Sequence, residues 1–296
     1  MIYVLDAMCG AGKSTSMINS IRGNMDKKWI YITPFLSEIE ERLPRVIPEA
    51  NFKSPIITKD SVSKLESIKV LLSNGDNIST THALFKLLDR DAVNMILDKQ
   101  YCIVIDEAVD AVSEYREGLN KTDIHALLTG DFLILKEDER NRVYWNEDKY
   151  PEHTGKYADV RKVCMNSMLY LYNGTFLMCE YPPELLSGVE HCYVLTYMFR
   201  CSSMRYWLDI SGIKYDYVTH KQAMLRSEDE IKADVRANLK IISNRTLDKV
   251  HRSQRNTAFS KRWFTSVKPE TLRKYRGIMR SCMVAHKVNG CDIFWT

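Results

Sequence analysis

Ala7-Met8-Cys9-Gly10-Ala11-Gly12-Lys13-Ser14 follows directly on the apolar run Ile2-Tyr3-Val4-Leu5 and is followed by Thr15-Ser16-Met17-Ile18. An apolar strand, a glycine-rich turn ending in Gly-Lys-Ser and the start of a helix are the ingredients of a phosphate-binding loop. Gly10 and Gly12 let the backbone curl until several N–H groups point inward. Lys13 supplies charge for the β and γ phosphates, and the Ser14 hydroxyl is a magnesium ligand. Ala7, Gly10, Ala11, Gly12, Lys13, Ser14 and Thr15 are therefore the expected nucleotide-binding residues, with the helix N-terminus adding its own attraction for an anion. The alternative is a turn that only joins a strand to a helix.

Further along, Cys102-Ile103-Val104-Ile105 is a continuous apolar run, as expected of a strand buried on both faces, and it ends in Asp106-Glu107-Ala108-Val109. This has the form of a Walker B strand. Asp106, with Ser14, is the expected Mg²⁺ ligand, and Glu107 is the expected polariser of an attacking water. Lys13, Asp106 and Glu107 are the residues expected to carry catalysis, with ATP and Mg²⁺ as the cofactors.

Strand-like runs at 2–6, 29–32, 77–80, 102–106 and 192–196 alternate with helical patterns at 35–43, 61–72, 82–98 and 109–116. Such alternation predicts an α/β fold with a mostly parallel sheet. Residues 130–180 break the rhythm with paired apolar runs, one pair flanking Asn173-Gly174, a hairpin signal. They read as an antiparallel β insertion. Pro182-Pro183-Glu184 opens a helix, another is expected at 202–210, and Lys214–Val218 reads as a sixth strand. Residues 1–219 form the expected ATP-binding domain and 220–236 a charged linker. A strand at 239–242, a basic helical region at 257–285 and the apolar run 292–296 follow.

The chain has 296 residues and a net charge of +4, but residues 232–296 hold 15 Lys and Arg against 4 Asp and Glu. That balance of +11 leaves −7 on residues 1–231. Basic residues interleaved with Phe259, Trp263, Phe264 and Tyr275 suit a nucleic-acid backbone and its bases, and equally suit a solvated helical face. No long apolar run or signal-peptide pattern occurs, so a cytoplasmic protein without a membrane partner is expected. Eight cysteines without metal-binding spacing read as reduced, buried thiols.

Ile30-Tyr31-Ile32-Thr33-Pro34-Phe35-Leu36-Ser37-Glu38 resembles motif Ia of superfamily 2 helicases, and Ser79-Thr80-Thr81-His82-Ala83-Leu84-Phe85 resembles the Thr-containing motif ahead of the acidic box. Asp106–Val109 has the DEAx form of motif II, and Leu195-Thr196-Tyr197 stands where motif III is found. With Pro182–Leu186 and Tyr193–Phe199, the series is most similar to DEAD-like helicases of phages and prophages of Gram-positive bacteria. The resemblance implies a RecA-like P-loop domain, a phage protein of the host cytoplasm, and action on DNA, single-stranded in particular. Thr33, Pro34, Thr81 and His82 become the nucleic-acid contacts, and Thr196 a coupling residue. Such helicases place an arginine in a second RecA-like domain. Only sixty residues follow residue 236, so 237–296 reads as the incomplete beginning of that domain, the arginine coming from elsewhere or from a replication partner. A phosphotransferase such as a nucleoside kinase, or a non-catalytic nucleotide-dependent DNA-binding module, are the alternative functions.

Overall fold

The computed structural model describes residues 1–57, 63–115, 119–166, 168–223, 225–239 and 261–286. They belong to two units, Met1–Ala233 and Asp234–Thr296. The strands of the first unit are β1 (Ile2–Asp6), β2 (Trp29–Thr33), β3 (Ile78–Thr81), β4 (Cys102–Asp106), β5 (Val112–Glu114), β6 (Leu133–Lys136), β7 (Arg142–Trp145), β8 (Met168–Tyr172), β9 (Phe176–Glu180), β10 (Cys192–Thr196) and β11 (Tyr215–Tyr217).

Six strands make one sheet in the order β11-β1-β10-β4-β2-β3, and every pairing in it is parallel. Side chains alternate between the faces of a strand, and here both faces are covered. Val4, Ile30, Ile32, Ile103, Ile105 and Val194 pack on one side with Ile68 and Leu72 of helix Lys64–Asn74, Ile96 of helix Arg90–Asp98 and Trp207 of helix Ser203–Ile210. Leu5, Trp29, Tyr31, Cys102, Val104 and Leu195 pack on the other with Met17, Ile18 and Ile21 of helix Lys13–Arg22. Two-sided burial is why the four central strands β1, β10, β4 and β2 read as largely apolar runs. Each large aliphatic side chain so buried contributes about 1.5–3 kcal/mol.

The second sheet, β5-β9-β8-β7-β6, is antiparallel throughout and is inserted between β4 and β10. Its inner face, with Leu133, Val143, Trp145, Leu169 and Leu177, packs on Ile124 and Leu127 of helix Lys121–Thr129 and Val160 of helix Ala158–Asn166. The expected turn at Asn173-Gly174 is present, with φ of 48° and 63°.

Several sequence expectations change. The helix expected over 109–116 is not formed. Val112–Glu114 instead pairs with Glu180, Cys179 and Met178 and completes the free edge of β9, a tertiary pairing that overrides local preference. The insertion therefore begins at 112, not 130. The helix expected over 82–98 is two, His82–Phe85 and Arg90–Asp98, the second capped by Asp89. The segment 35–43 turns as a π-helix at Glu38–Arg42 and runs into helix Leu43–Val46.

The expected linker 220–236 contains the boundary between the two units, and its described residues form regular structure. Ser227 and Glu230 exchange hydrogen bonds as a capping box at the start of helix Glu228–Asn238, and Ala223, Leu225 and Ile231 pack within the first unit. In the second unit the basic region forms helices Lys261–Ser266 and Pro269–His286, with Trp263 buried against Tyr275. The strand expected at 239–242, apart from Leu239, and the run 292–296 lie outside the described residues.

Cys102 and Cys192 are buried thiols as expected, and burial pushes Cys192 up to about 12. Cys9 and Cys201 are exposed, because they sit in loops beyond strand ends rather than within strands. Cys291 lies outside the described residues. No helix among the described residues is long and apolar enough to cross a membrane.

Candidate functional site

The parity of the strands decides what meets at the carboxyl edge of the parallel sheet. Asp106 follows Cys102 and Val104 on the face that packs against helix Lys13–Arg22, so its carboxylate emerges beside the start of that helix. Ser14 Oγ donates to Asp106 Oδ2 at 3.1 Å, joining residues 92 apart in the chain. The register makes this meeting obligatory. Leu5 pairs with Leu195 and Leu195 with Asp106, so β1, β10 and β4 end nearly level and the loop leaves β1 beside the acidic end of β4.

The loop has the conformation its glycines were expected to permit. Gly10 and Gly12 have φ of 82° and 95°, and a Cβ at either would meet nothing within 4 Å. The need for glycine there is conformational rather than steric, since a side chain disfavours positive φ even in open space. Ser16 N donates to Gly12 O at 2.8 Å and starts the helix. Ala7 and Ala11 are buried and Thr15 is exposed.

Lys13 is not the solvent-facing side chain that a phosphate loop's lysine suggests. It is 7% exposed, and its Nζ donates to Ala7 O at 2.6 Å and Met8 O at 3.3 Å. The ammonium is folded back onto its own loop, where the carbonyls supply the negative partial charge it needs.

Asp106 and its neighbour are gripped from several directions. Tyr31, on β2, donates its hydroxyl to Asp106 Oδ2 at 2.7 Å. Burial first, and the Asp106 charge second, raise the Tyr31 phenol well above its ordinary range, so it stays a donor. The Asp106 carbonyl accepts from His82 Nε2 at 3.0 Å, which fixes the imidazole proton on Nε2. Burial lowers the His82 pKa, while the bond to Asp106 acts in the opposite sense. Glu107 has φ of 69°, its N–H donates to Leu195 O at 2.8 Å, and its side chain is exposed.

The other sequence candidates cluster at the same edge. Thr33 is buried at the end of β2, and Pro34 beyond it is exposed. Thr81 Oγ1 accepts from Leu84 N and caps helix His82–Phe85. Thr196 is buried at the end of β10, its carbonyl accepting from Ala7 N at 3.0 Å. Thr33, Thr81, His82 and Thr196 thus all have structural partners or burial within the fold.

Three participants are absent from the sequence expectation. Tyr31 lies inside a quoted motif that assigns it no role. Asp6, the last residue of β1, accepts Phe199 N at 3.0 Å through Oδ2 and fixes the turn after β10. The segment after β11 reaches the loop itself, Arg226 N donating to Ala11 O at 3.0 Å while Ile231 packs with Ala7 and Ala11. The sequence signal for this last contact is the capping pattern Ser227-Glu228-Asp229-Glu230 inside a stretch otherwise rich in charge.

Among the described residues no group of three or more His, Cys, Asp and Glu converges. A magnesium–phosphate site requires none, since Mg²⁺ is held by one or two carboxylates together with phosphate oxygens and waters. A hydroxyl and a carboxylate at 3.1 Å beside a glycine loop fit such a set of donors.

A family model described as the YonV middle domain matches residues 116–179, within the antiparallel layer and apart from the loop and the acidic strand. The chain is also similar to the SPbeta prophage-derived uncharacterized protein YonV of Bacillus subtilis strain 168. The two are 26% identical over 304 aligned positions, covering 95% of this chain and 72% of that protein. No solved structure matches.

Proposed function

We propose that this chain is a P-loop ATPase of superfamily 2 helicase type acting on DNA, with a RecA-like nucleotide-binding domain built on the parallel sheet. The observation that carries the reading is the hydrogen bond from Ser14 to Asp106. A turn that merely joined β1 to its helix would give no reason for a hydroxyl and a carboxylate to converge at the carboxyl edge of the sheet, where open α/β sheets bind their ligands.

Mg-ATP, when bound, supplies the phosphoryl group and the metal charge that neutralises it. The chain's own residues have distinct tasks. The backbone N–H groups of Gly10, Gly12, Lys13, Ser14 and Thr15 would hold phosphate oxygens, and Lys13, whose ammonium rests on the carbonyls of Ala7 and Met8, would supply the cation beside them. Ser14 and Asp106 would hold the metal. Glu107 orients the water and accepts its proton. An arginine from outside the first unit completes charge neutralisation, a contribution of about 10³ or more in rate, so turnover without it is slow.

Single-stranded DNA is the proposed partner, supported by the +11 balance of residues 232–296. The prophage origin of the similar protein fits work in a phage replication or recombination setting, inside the host cytoplasm. The test is Mg²⁺-dependent binding of a fluorescent ATP analogue and phosphate release, with and without a single-stranded oligonucleotide, for wild type and Lys13→Ala. Equal affinity of the two proteins for the analogue would sink the reading.

A further inference from the structure

The peptide between Asp106 and Glu107 is held at both of its polar atoms by groups outside its own strand. Its carbonyl accepts from His82 Nε2 at 3.0 Å, and its N–H donates to Leu195 O at 2.8 Å. β10 is the immediate neighbour of β4, so the Leu195 bond continues the ladder by one step. The His82 bond does not. β2 lies between β3 and β4, and the imidazole reaches the Asp106 carbonyl across the end of β2.

The residue that follows this peptide is strained. Glu107 has φ of 69°, a left-handed conformation that a residue with a Cβ disfavours. Such a conformation persists only where the surroundings over-determine it. Two hydrogen bonds on the preceding peptide do so here, and of the two only the one from His82 comes from a side chain.

We propose that His82 is the positioning residue for Glu107. Its hydrogen bond to the Asp106 carbonyl fixes the left-handed turn that aims the Glu107 carboxylate. The inference rests on the ATPase reading, in which Glu107 orients the water. It also changes what His82 is for: the Nε2 proton is committed to the protein backbone, and the residue acts on hydrolysis through a peptide rather than through a ligand. Because His82 is the first residue of the turn that Thr81 caps, anything that contacts the carboxyl end of β3 shifts the group that sets Glu107. A DNA strand lying there would thereby be coupled to hydrolysis.

The experiment compares the full chain with His82→Ala and His82→Gln in three measurements: amide hydrogen exchange over residues 103–109 without nucleotide, Mg²⁺-dependent affinity for a fluorescent ATP analogue, and single-turnover hydrolysis with and without a single-stranded oligonucleotide. For His82→Ala, exchange at Glu107 rises about tenfold, as loss of one hydrogen bond allows. Analogue affinity stays within about twofold, while hydrolysis falls about 10²-fold and loses its response to the oligonucleotide, the signature of an interaction used in the transition state and of a misaimed group. Gln carries an N–H donor at similar reach and recovers most of the rate. Unchanged exchange and turnover in His82→Ala overturn the inference and leave the ATPase reading standing. Parallel loss of affinity and turnover in both variants marks a purely structural role and overturns it as well. A wild-type chain that binds no analogue overturns the ATPase reading, and this inference with it.

Discussion

The two sheets of the first unit draw on similar apolar residues and leave their polar groups in different places. Among the described residues the antiparallel sheet buries chiefly one face, and its other face pairs polar groups with neighbouring strands. Arg140 Nη2 donates to Tyr170 OH at 2.8 Å and to Glu180 at 3.1 Å, and the Arg140 guanidinium lies 4.6 Å from the Tyr170 ring centre. The four central strands of the parallel sheet have no free face. Its polar side chains gather at one edge, where segments far apart in sequence arrive together: Ser14 with Asp106, Asp6 with Phe199, His82 with Asp106. The difference teaches that two-sided burial concentrates chemistry at strand ends, whereas one-sided burial spreads polar groups into pairs that settle the sheet's own surface.

The largest effect that would sharpen this contrast is expected at the parallel edge. Glu107→Gln should keep nucleotide bound and lower turnover by about 10²–10⁴-fold, the range for losing a positioned base, as read by single-turnover phosphate release. Lys13→Ala should instead abolish tight Mg-nucleotide binding while circular dichroism and thermal unfolding change little. Its removal leaves the carbonyls of Ala7 and Met8 without the ammonium, a cost of about 1 kcal/mol. Normal turnover by Glu107→Gln would mean that the acidic edge is only a strand terminus.

In the antiparallel sheet the expectation reverses. Trp145 is 5% exposed in the core of that layer, and its Nε1 donates to Tyr150 O at 2.9 Å. Trp145→Ala should lower unfolding stability by about 3–5 kcal/mol, measured by denaturant titration, with nucleotide affinity in the folded protein unchanged. A matching loss of nucleotide affinity would break the separation between the sheets.

How far these regions can be read from sequence follows from the same physics. The four central parallel strands are legible because two-sided burial writes them as largely apolar runs, whereas the edge strands β3 and β11 carry mixed, short stretches; Ser14 and Asp106 are legible as residue types placed just beyond such runs, and the structure brings them together. β5 is not, because Val112–Glu114 becomes a strand only by pairing with β9, sixty-odd residues later in the chain. The buried state of Lys13 is likewise invisible, since it depends on carbonyls that the folded loop turns inward. Tyr31 and His82 belong to motifs that were read, yet their partner is Asp106, and no local pattern names a contact across the sheet.

The second unit offers a smaller, salt-dependent test. Arg273, Lys274, Arg276 and Arg280 are exposed on helix Pro269–His286. If each meets a phosphate, replacing the four with Gln should lessen the slope of log affinity for single-stranded DNA against log salt by about 3, at about 0.7 per contact. An unchanged slope would make this helix face a solvated surface.

The smallest effect should come from Tyr31→Phe, and it separates metal positioning from packing. The ring is 1% exposed and meets Phe52 edge-on with centroids 6.3 Å apart, so Phe keeps the buried shape and removes one hydroxyl. That hydroxyl and the Ser14 hydroxyl both donate to Asp106 Oδ2, and together they hold the carboxylate in one orientation. Without Tyr31's share the carboxylate turns more freely, and the Mg²⁺ concentration needed for half-maximal nucleotide binding should rise about tenfold, the lower end for losing a group that orients a metal ligand. Thermal unfolding without metal should move little, because Phe keeps the packing and Ser14 still donates to Asp106 Oδ2. A large drop in melting temperature with an unchanged Mg²⁺ requirement would show that Tyr31 serves the core beneath the site. The parallel edge would then owe the placement of Asp106 to strand register and Ser14 alone.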